Sequence, residues 1–308
     1  MYKIACLIIF VILISCASGG KKNTDSNVTK FSVLTFNMWL GGEADHHNIE
    51  KSLEVIRVSG AEIIGLQEAY GYNEDGSNHD NGKIIAEKLG WNYIDQGGYG
   101  MMSRFPVVGI SPTQKGVKLK IDENKFVWFF NCHLNYIPYQ PYQLASKEYG
   151  DYPFISTEKE AVAWADSARG DVVREYVSEI QNITDEGWPV FLTGDFNEPS
   201  FLDWTDEAVK KGIYNLKVTW PSSAAFAKIG MKDAFRESYP DVEKYPGKTW
   251  SAIDYPGEIH DRIDFVFFKG KQVKVLNVNT IGFNDGISNI GIEDYPSDHR
   301  AVYALFQW

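Results

Sequence analysis

Cysteine is scarce in this chain of 308 residues, which contains Cys6, Cys16 and Cys132. Cys6 lies in an apolar N-terminal segment and Cys16 directly follows it, so Cys132 has no partner in the rest of the chain. This excludes a disulfide framework, and we expect Cys132 to be a small buried residue. The fold must rest on its own core. A chain that is 44% hydrophobic and 14% aromatic has enough apolar side chains for one large core or two modest ones.

Basic residues are outnumbered by acidic ones. The chain has 30 Lys and Arg against 41 Asp and Glu, which gives a formal net charge of -11. Non-specific affinity for nucleic acid comes mainly from Lys and Arg that neutralise the backbone, so this charge argues against a large surface that tracks phosphates. A nucleic-acid partner is therefore not favoured, although a local basic groove is compatible with the composition.

The apolar run at residues 4–14 is too short to span a bilayer as a mature helix. With Lys3 before it, the run fits the core of a secretory signal peptide. It ends in Leu13-Ile14-Ser15-Cys16, which resembles a bacterial lipobox, where the cysteine is lipidated and becomes the new N-terminus. Ordinary signal-peptide cleavage near Ala17 is the alternative.

We therefore expect a lipoprotein signal peptide at residues 1–15 and a flexible tether at residues 16–30, where Gly, Ser, Asn and Lys are frequent. The lipid on Cys16 would hold an exported bacterial protein at a membrane surface, on the periplasmic or cell-surface side. The membrane is thus a predicted partner, and the oligomeric state is left open.

Residues 31–308 show no internal repeat and no Pro/Gly-rich linker, so we expect one domain. Strand-like runs are expected at residues 31–36, 62–66, 125–131, 189–192, 263–268, 273–278 and 301–306. Helical patterns are expected at residues 46–58, 82–89, 157–183 and 203–211. Thr157 and Glu160 form a capping-box pattern in the third, which Gly170 is expected to bend or interrupt. This mixture favours packed sheets with helices outside.

The most informative stretch is Gly194-Asp195-Phe196-Asn197, which follows the apolar run at residues 189–192. A buried strand that ends at a glycine and delivers a carboxylate and a carboxamide favours a catalytic loop. Residues i and i+2 of an extended segment point to the same side, so Asp195 and Asn197 would converge on one ligand. A plain turn is the alternative, because Gly, Asp and Asn are common turn residues.

Polar residues recur at the ends of the other strand-like runs. They are Asn37, Gln67, Glu68, His133, Asp261, Arg262, Asp264, Ser297, Asp298, His299 and Arg300. Each alone has an ordinary explanation: Asn37 as a turn residue, Glu68 as a surface charge, His133 as a hydrogen-bonded core histidine. Their repeated position at strand ends indicates a site built from loops.

The order of these motifs resembles the endonuclease/exonuclease/phosphatase superfamily, which includes deoxyribonuclease I-like nucleases, abasic-site endonucleases, inositol polyphosphate 5-phosphatases and bacterial sphingomyelinases. The resemblance rests on Thr35-Phe36-Asn37, Gln67-Glu68, Ser103-Arg104-Phe105-Pro106, His133-Leu134, Gly194-Asp195-Phe196-Asn197, Arg262-Ile263-Asp264-Phe265-Val266 and Ser297-Asp298-His299. It covers residues 31–308. It implies an α/β (α+β) four-layer sandwich, in which two packed mixed β-sheets are flanked by helices and the site lies at one edge of the sheets.

The resemblance implies metal-assisted hydrolysis of a phosphate ester, in which a cation neutralises the phosphoryl oxygens. The expected ion is Mg²⁺, or Mn²⁺ or Ca²⁺, which prefer oxygen ligands. The implied metal-binding residues are Asn37, Glu68 and Asp298. The implied catalytic residues are His133, Asp195, Asn197, Asp264, Asp298 and His299.

By the family pattern, Asp195 and Asn197 orient and activate the attacking water, and His133 donates to a phosphate oxygen. Asp264 would steady His299 or contribute to a second metal position. Whether Asp195 or His299 is the general base stays open at this point, because either assignment fits the residue types.

Substrate contacts are expected from variable aromatic segments. A Tyr/Pro-rich loop at residues 136–153 follows His133 and could form a wall that stacks on a sugar, a base or a lipid headgroup. Tyrosines that simply pack on the domain are the alternative. The predicted substrate-binding residues are Tyr136, Tyr139, Trp250 and Arg262.

Three functions are compatible with these residues. We favour an exported phosphodiesterase or phosphatase that acts on small, carbohydrate-linked or lipid-linked phosphate esters. An extracellular deoxyribonuclease-like nuclease is the first alternative. A catalytically inactive binding protein on the same fold is the remote one, since all the site residues are present.

Overall fold

The computed structural model describes residues 28–183 and 186–308. The predicted signal peptide, Cys16 and residues 16–27 of the predicted tether lie outside this part of the chain. Within the described part, none of the helices combines the length and the apolar character needed to cross a bilayer.

The strands, in chain order, are β1 (Lys30–Asn37), β2 (Ile63–Gln67), β3 (Tyr70–Tyr72), β4 (Asn78–Asp80), β5 (Asn92–Asp95), β6 (Gly100–Ser103), β7 (Val107–Ile110), β8 (Gly116–Asp122), β9 (Lys125–His133), β10 (Val190–Asp195), β11 (Lys232–Asp233), β12 (Asp264–Lys269), β13 (Lys274–Phe283), β14 (Ile290–Ile292) and β15 (Ala301–Gln307). The helices are α1 (Ile49–Ser59), α2 (Asn81–Leu89), α3 (Gln140–Leu144), α4 (Glu158–Ile183), α5 (Asp206–Lys210), α6 (Pro221–Lys228) and α7 (Ala234–Ser238).

Two mixed sheets form the centre of the fold. The first has seven strands in the order β14-β13-β15-β1-β2-β6-β5, and the second has six in the order β11-β12-β10-β9-β8-β7. In the first sheet β1 is parallel to β2 and antiparallel to β15. In the second, β10 is parallel to β9 and antiparallel to β12. The strands β3 and β4 form a separate hairpin.

Three hydrophobic layers hold the sandwich together. The layer between the sheets contains side chains such as Phe31, Phe129, Phe191 and Phe306. A second layer packs α1 and α2 against the first sheet, and a third packs α4 and α6 against the second. Burial of one such aromatic side chain contributes about 2 kcal/mol. The result is the predicted four-layer arrangement of two mixed sheets flanked by helices.

The predicted strands correspond to β1, β2, β9, β10, β12, β13 and β15, and Cys132 is a buried free thiol as expected. The capping box is present, because Thr157 N–H donates to Glu160 Oε2 and Glu160 N–H donates to Thr157 Oγ1. An interruption of α4 at Gly170 does not occur, since the helix runs through this residue. The helix predicted at residues 203–211 starts only at Asp206, where Thr205 caps it.

Candidate functional site

The site lies where the inward-facing rows of the two sheets end. Side chains alternate between the faces of a strand, so every second residue of β1 from Phe31 onward faces the second sheet, and this row ends at Asn37. The corresponding rows of β9, β10 and β12 end at His133, Asp195 and Asp264. Polar groups from both sheets therefore meet at one end of the apolar layer.

His299 lies at the centre of this group. Its Nδ1 is 3.0 Å from Asp264 Oδ2, and its Nε2 is 3.7 Å from Asp195 Oδ2. Ser297 fixes the approach of the segment, since its hydroxyl donates to Asn37 C=O and accepts a hydrogen bond from His299 N–H. The imidazole is thus held by a buried carboxylate on one side and faces a second carboxylate on the other.

Asn37 connects the two sheets. Its Nδ2 donates to Asp195 Oδ2 at 3.0 Å and to Glu68 Oε1 at 3.2 Å, while its Oδ1 accepts a hydrogen bond from Trp39 N–H. The second oxygen of Glu68 accepts from Leu40 N–H. Asn37 therefore positions two carboxylates, because its own amide oxygen is directed to the backbone.

Asp195 also contacts the loops that follow β9 and β10. His133 Nε2 lies 3.6 Å from Asp195 Oδ2, and its side chain is partly open to solvent. Asn197 donates its backbone N–H to Asp195 Oδ1 and its side-chain Nδ2 to Leu134 C=O. The predicted parallel convergence of the Asp195 and Asn197 side chains does not occur, because Asn197 has a φ of 48° and the chain turns there.

Four non-glycine residues around the site adopt left-handed backbone conformations: Trp39 (φ 56°), Leu40 (φ 53°), Glu68 (φ 48°) and Asn197 (φ 48°). Such conformations are uncommon for large side chains and are retained where the surroundings fix them. Here they turn the loops so that Leu40 N–H reaches Glu68 and Asn197 N–H reaches Asp195.

Burial changes the titration of the site. It raises the pKa of Asp195 to about 6, with Asp264 adding to the rise while His299, His133 and the Asn197 N–H oppose it. Burial also raises the pKa of Asp298. For His299, burial acts to lower the pKa, but the charges of Asp264, Asp195 and Asp298 outweigh it and hold the pKa well above its ordinary value.

A layer of hydrogen-bonded polar side chains lies directly below the site. Asn131 Oδ1 accepts from Gln67 Nε2 and Thr193 Oγ1, and Asn131 Nδ2 donates to Leu66 C=O and Gly100 C=O. The layer spans both sheets and fixes their relative position. Gly65 leaves the space for it, because a Cβ there would lie 2.0 Å from Thr193 Oγ1.

The residues fit a divalent cation. Within the described chain, Asp264 Oδ1 and Asp298 Oδ1 are buried without a hydrogen-bond partner, an arrangement that a bound cation or proton would satisfy. The donor set of Glu68 and Asp298 consists of the hard oxygens that Mg²⁺ prefers. Ligand atoms of Asp195, Asp264 and His299 also lie within 4.8 Å of one another. For the cation we favour the position beside Glu68 and Asp298. Asp264 instead forms a hydrogen bond with His299 and orients its imidazole.

The sequence profile of the Endonuclease/Exonuclease/phosphatase family matches residues 34–299, a span that contains every residue of this site. The chain belongs to this family. Members of the endonuclease/exonuclease/phosphatase family are hydrolases that act on phosphoester bonds.

The chain is also similar to one curated protein and to several solved structures. The chain is 26% identical to Uncharacterized protein F14F9.5 of Caenorhabditis elegans, with 97% of each chain covered. It resembles an endonuclease/exonuclease/phosphatase structure from Beutenbergia cavernae with a TM-score of 0.57 at 17% identity, covering 91% of this chain and 72% of the other. It also resembles D. rerio TDP2 complexed with single strand DNA product, with a TM-score of 0.51 at 15% identity, covering 90% and 98%. At these identities the structural likeness shows the fold alone.

Among the predicted substrate contacts of this family member, Tyr136 is 55% exposed and Trp250 lies beside the site, where its Nε1 donates to Asp298 Oδ2. Tyr139 is buried, and its hydroxyl donates to Asp261, so it supports Trp250 from behind. Arg262 is 2% exposed and pairs with Asp203 and Asp233. Its guanidinium does not reach the open side of the site, so the predicted substrate contact is corrected to a structural role.

Tyr149 was not among the predicted substrate-binding residues. Burial raises its pKa, and the charges of Tyr136, Asp298, Glu258 and Glu68 raise it further. Its ring contacts Tyr136 and Tyr142 edge-on, and Tyr142 in turn contacts Trp250. No sequence motif marks this wall beyond the frequency of tyrosine in the loop.

Proposed function

We propose that the protein is a divalent-metal-dependent phosphodiesterase or phosphatase that acts on small, carbohydrate-linked or lipid-linked phosphate esters by in-line attack of water. The observation that carries the proposal is the convergence of Asn37, His133, Asp195 and His299 from two sheets, with contacts of 3.0–3.7 Å. Glu68 and Asp298 would hold Mg²⁺, Mn²⁺ or Ca²⁺, which when bound neutralises phosphoryl oxygens and acts as a Lewis acid.

The positions of the protein side chains suggest a separate role for each in the hydrolysis. His133 is the site imidazole that is partly open to solvent, and its Nε2 would donate to a phosphoryl oxygen. Asp195 and His299 face the same point, and we assign acceptance of the proton from water to them as a coupled pair. Asp264 holds the imidazole in orientation through Nδ1.

The aromatic wall of Tyr136, Tyr149, Tyr142 and Trp250 supports a substrate with a stacking or apolar alcohol group. The net charge of -11 supports a small ester over a long polyanion. A deoxyribonuclease-like nuclease is the competing function, and it predicts that duplex DNA is cleaved better than small esters.

The test is side-by-side hydrolysis of a small aryl phosphodiester, an aryl phosphomonoester, sphingomyelin and duplex DNA with Mg²⁺, with Asp195→Ala as the inactive control. We expect the small esters to be hydrolysed, and we expect a chelator of divalent ions to abolish this hydrolysis. Robust DNA cleavage without small-ester hydrolysis would replace this proposal with the nuclease. Binding without turnover in any divalent ion would indicate an inactive binding protein.

We also propose that the protein is an exported bacterial lipoprotein anchored through Cys16, on the basis of the segment Leu13-Ile14-Ser15-Cys16. Metabolic labelling with a radioactive fatty acid tests this, with Cys16→Ser as the control. Equal labelling of the two proteins, or label in neither, would remove the proposal.

A further inference from the structure

The end of the sandwich opposite the site is rich in lysine. Lys30 begins β1, and Lys30 and Lys274 both pair in register with Gln307 of β15. In the second sheet, Lys269 ends β12, and Lys271 follows it. We call these four lysines, with the cavity described below, the basic end.

These lysines are not neutralised within the described protein. Across residues 28–183 and 186–308, no carboxylate forms an ion pair with Lys30, Lys269, Lys271 or Lys274. Among the acidic residues at this end, Glu186 and Glu237 are each paired with another lysine, while Asp122, which accepts a hydrogen bond from Thr29, and Glu123 lie at the turn between β8 and β9. In a chain with a net charge of -11, the four lysines without an ion pair outnumber the two carboxylates at this turn, so this end differs in charge from the chain as a whole.

A cavity of about 720 Å³ opens at the basic end. Its lining includes Lys232, Lys269 and Lys271 and the indoles of Trp188 and Trp308, and it includes no acidic side chain. The two indoles meet edge-on with their centroids 6.1 Å apart. Paired indoles beside lysines are typical of a surface that meets the headgroup region of a bilayer.

The N-terminal segment joins the domain at this same end. Thr29 and Trp308 exchange two backbone hydrogen bonds of 2.9 Å, which fixes the point where the chain enters β1. The 27 residues before the first described residue therefore connect here, and they include the apolar run at residues 4–14. The point where the chain enters the described domain and the lysine cluster thus share one end of the domain.

We propose that the basic end docks on a bilayer surface that contains anionic lipids. The lysines would lie at the lipid phosphates and the indoles of Trp188 and Trp308 at the interface. This surface is separate from the hydrolytic site and does not depend on the proposed function or on lipidation of Cys16.

Docking in this way fixes the orientation of the hydrolytic site relative to the bilayer. Lys30 and Asn37 are at opposite ends of β1, so about 23 Å of extended strand separates the basic end from the site. The site would face away from the docked bilayer. The protein would therefore act on esters in the surrounding solution and not on the lipids to which it is docked.

The test is co-sedimentation of the full chain carrying Cys16→Ser with vesicles of phosphatidylcholine alone or with added phosphatidylglycerol. Every variant keeps the same N-terminal segment, so differences between variants report on the basic end. We expect tighter binding to the anionic vesicles. The double variant Lys269→Gln/Lys271→Gln should lose about 25-fold in anionic partitioning, which is about fivefold per lysine. The matched control Lys83→Gln/Lys159→Gln, two exposed lysines elsewhere, should bind as the parent does.

A second readout is turnover of a soluble aryl phosphodiester, which should be the same in the double variant and the parent and shows that the fold is intact. Three outcomes would overturn the proposal: equal binding to neutral and anionic vesicles, unchanged binding of the double variant, or loss of binding that the control variant shares. Displacement of the protein from vesicles by millimolar inorganic phosphate at constant ionic strength would assign the cavity to a soluble anion instead.

Discussion

Asn37 Nδ2 lies 3.0 Å from Asp195 Oδ2, although the two residues are 158 positions apart in sequence and belong to different sheets. This hydrogen bond, together with the contact between His299 and Asp264, joins the two halves of the sandwich at the site. Because Asp195 also faces His133 and His299, a shift of one sheet relative to the other would separate the groups that must act together.

Removal of either member of the proposed proton-accepting pair should stop turnover. Asp195→Ala and His299→Ala are each expected to lower kcat about 10²–10⁴-fold while the circular dichroism spectrum is retained. His47→Ala is the matched control, since His47 pairs with Asp294 outside the site. Near wild-type hydrolysis by either site variant would show that the assignment is wrong.

Glu68→Gln should change the metal requirement more than the fold. The substitution removes the charge of a carboxylate whose oxygens face Asn37 and Leu40 N–H, so a higher Mg²⁺ concentration should be needed for half-maximal activity. Titration of activity with Mg²⁺ measures this, and Glu74→Gln, at an exposed position, provides the control. An unchanged midpoint would argue against Glu68 as a ligand.

Arg262→Met should unfold the protein more easily without changing substrate affinity. Arg262 is buried between Asp203 and Asp233, and its loss leaves Asp233 without its ion-pair partner and Asp203 with Arg236 alone. We expect a loss of about 3–5 kcal/mol in the free energy of unfolding, measured by urea denaturation. Arg57→Met, at an exposed position, should change little. If the variant had normal stability but a raised KM, the result would show that Arg262 contacts the substrate, as the sequence suggested.

Asp261 should make stability depend on pH. Burial raises the pKa of this carboxyl from 3.8 to about 6, although hydrogen bonds from Tyr139 and Trp204 oppose the rise. The folded state binds the proton more tightly than the unfolded state. The contribution of Asp261 is therefore complete below pH 3.8 and is lost as the pH rises through about 6.

The difference of about 2 pH units corresponds to about 3 kcal/mol. Relative to Asp261→Asn, the wild type should lose about this much free energy of unfolding between those pH values, as followed by urea denaturation at each pH. The exposed Asp151→Asn serves as control. A wild-type-minus-variant difference that stayed constant with pH would contradict the assignment.

Asn131→Leu should damage both stability and turnover. Asn131 makes four buried hydrogen bonds, and the substitution removes the acceptor of Gln67 Nε2, one of the two acceptors of Thr193 Oγ1, and a donor to two backbone carbonyls. The expected loss is about 3 kcal/mol or more, because each unsatisfied buried group costs about 1–3 kcal/mol. kcat should fall as well, although Asn131 is below the site. Asn73→Leu, at an exposed position, is the control, and an unchanged kcat would show that the polar layer does not position the site.

The central strands could be predicted because each is a continuous apolar run that ends in a polar residue. The strand β8 was missed although Val117, Leu119 and Ile121 alternate with polar residues, since three of its seven residues are charged. The strands β5 and β6 were missed for a different reason. They are four residues long, and β6 begins with Gly100, so local sequence gives them little signal.

The site residues at strand ends could be found from sequence, but their mutual arrangement could not. The role of Arg262 depends on Asp203 and Asp233, which contact it only through tertiary packing. Asn197 was expected to point alongside Asp195, an inference that holds for an extended chain and fails where φ becomes positive. Loop conformation, which no strand pattern specifies, decides both.

The contact between Asn37 and His299, which are 262 positions apart, means that the site unites the first and last strands of the domain. During synthesis Asn37 is made early, whereas its partner His299 is made almost at the end of translation. A nascent chain that has not reached residue 299 cannot form this contact. Hydrolysis by the proposed site would therefore report that the domain has closed, for those variants above that keep the site residues.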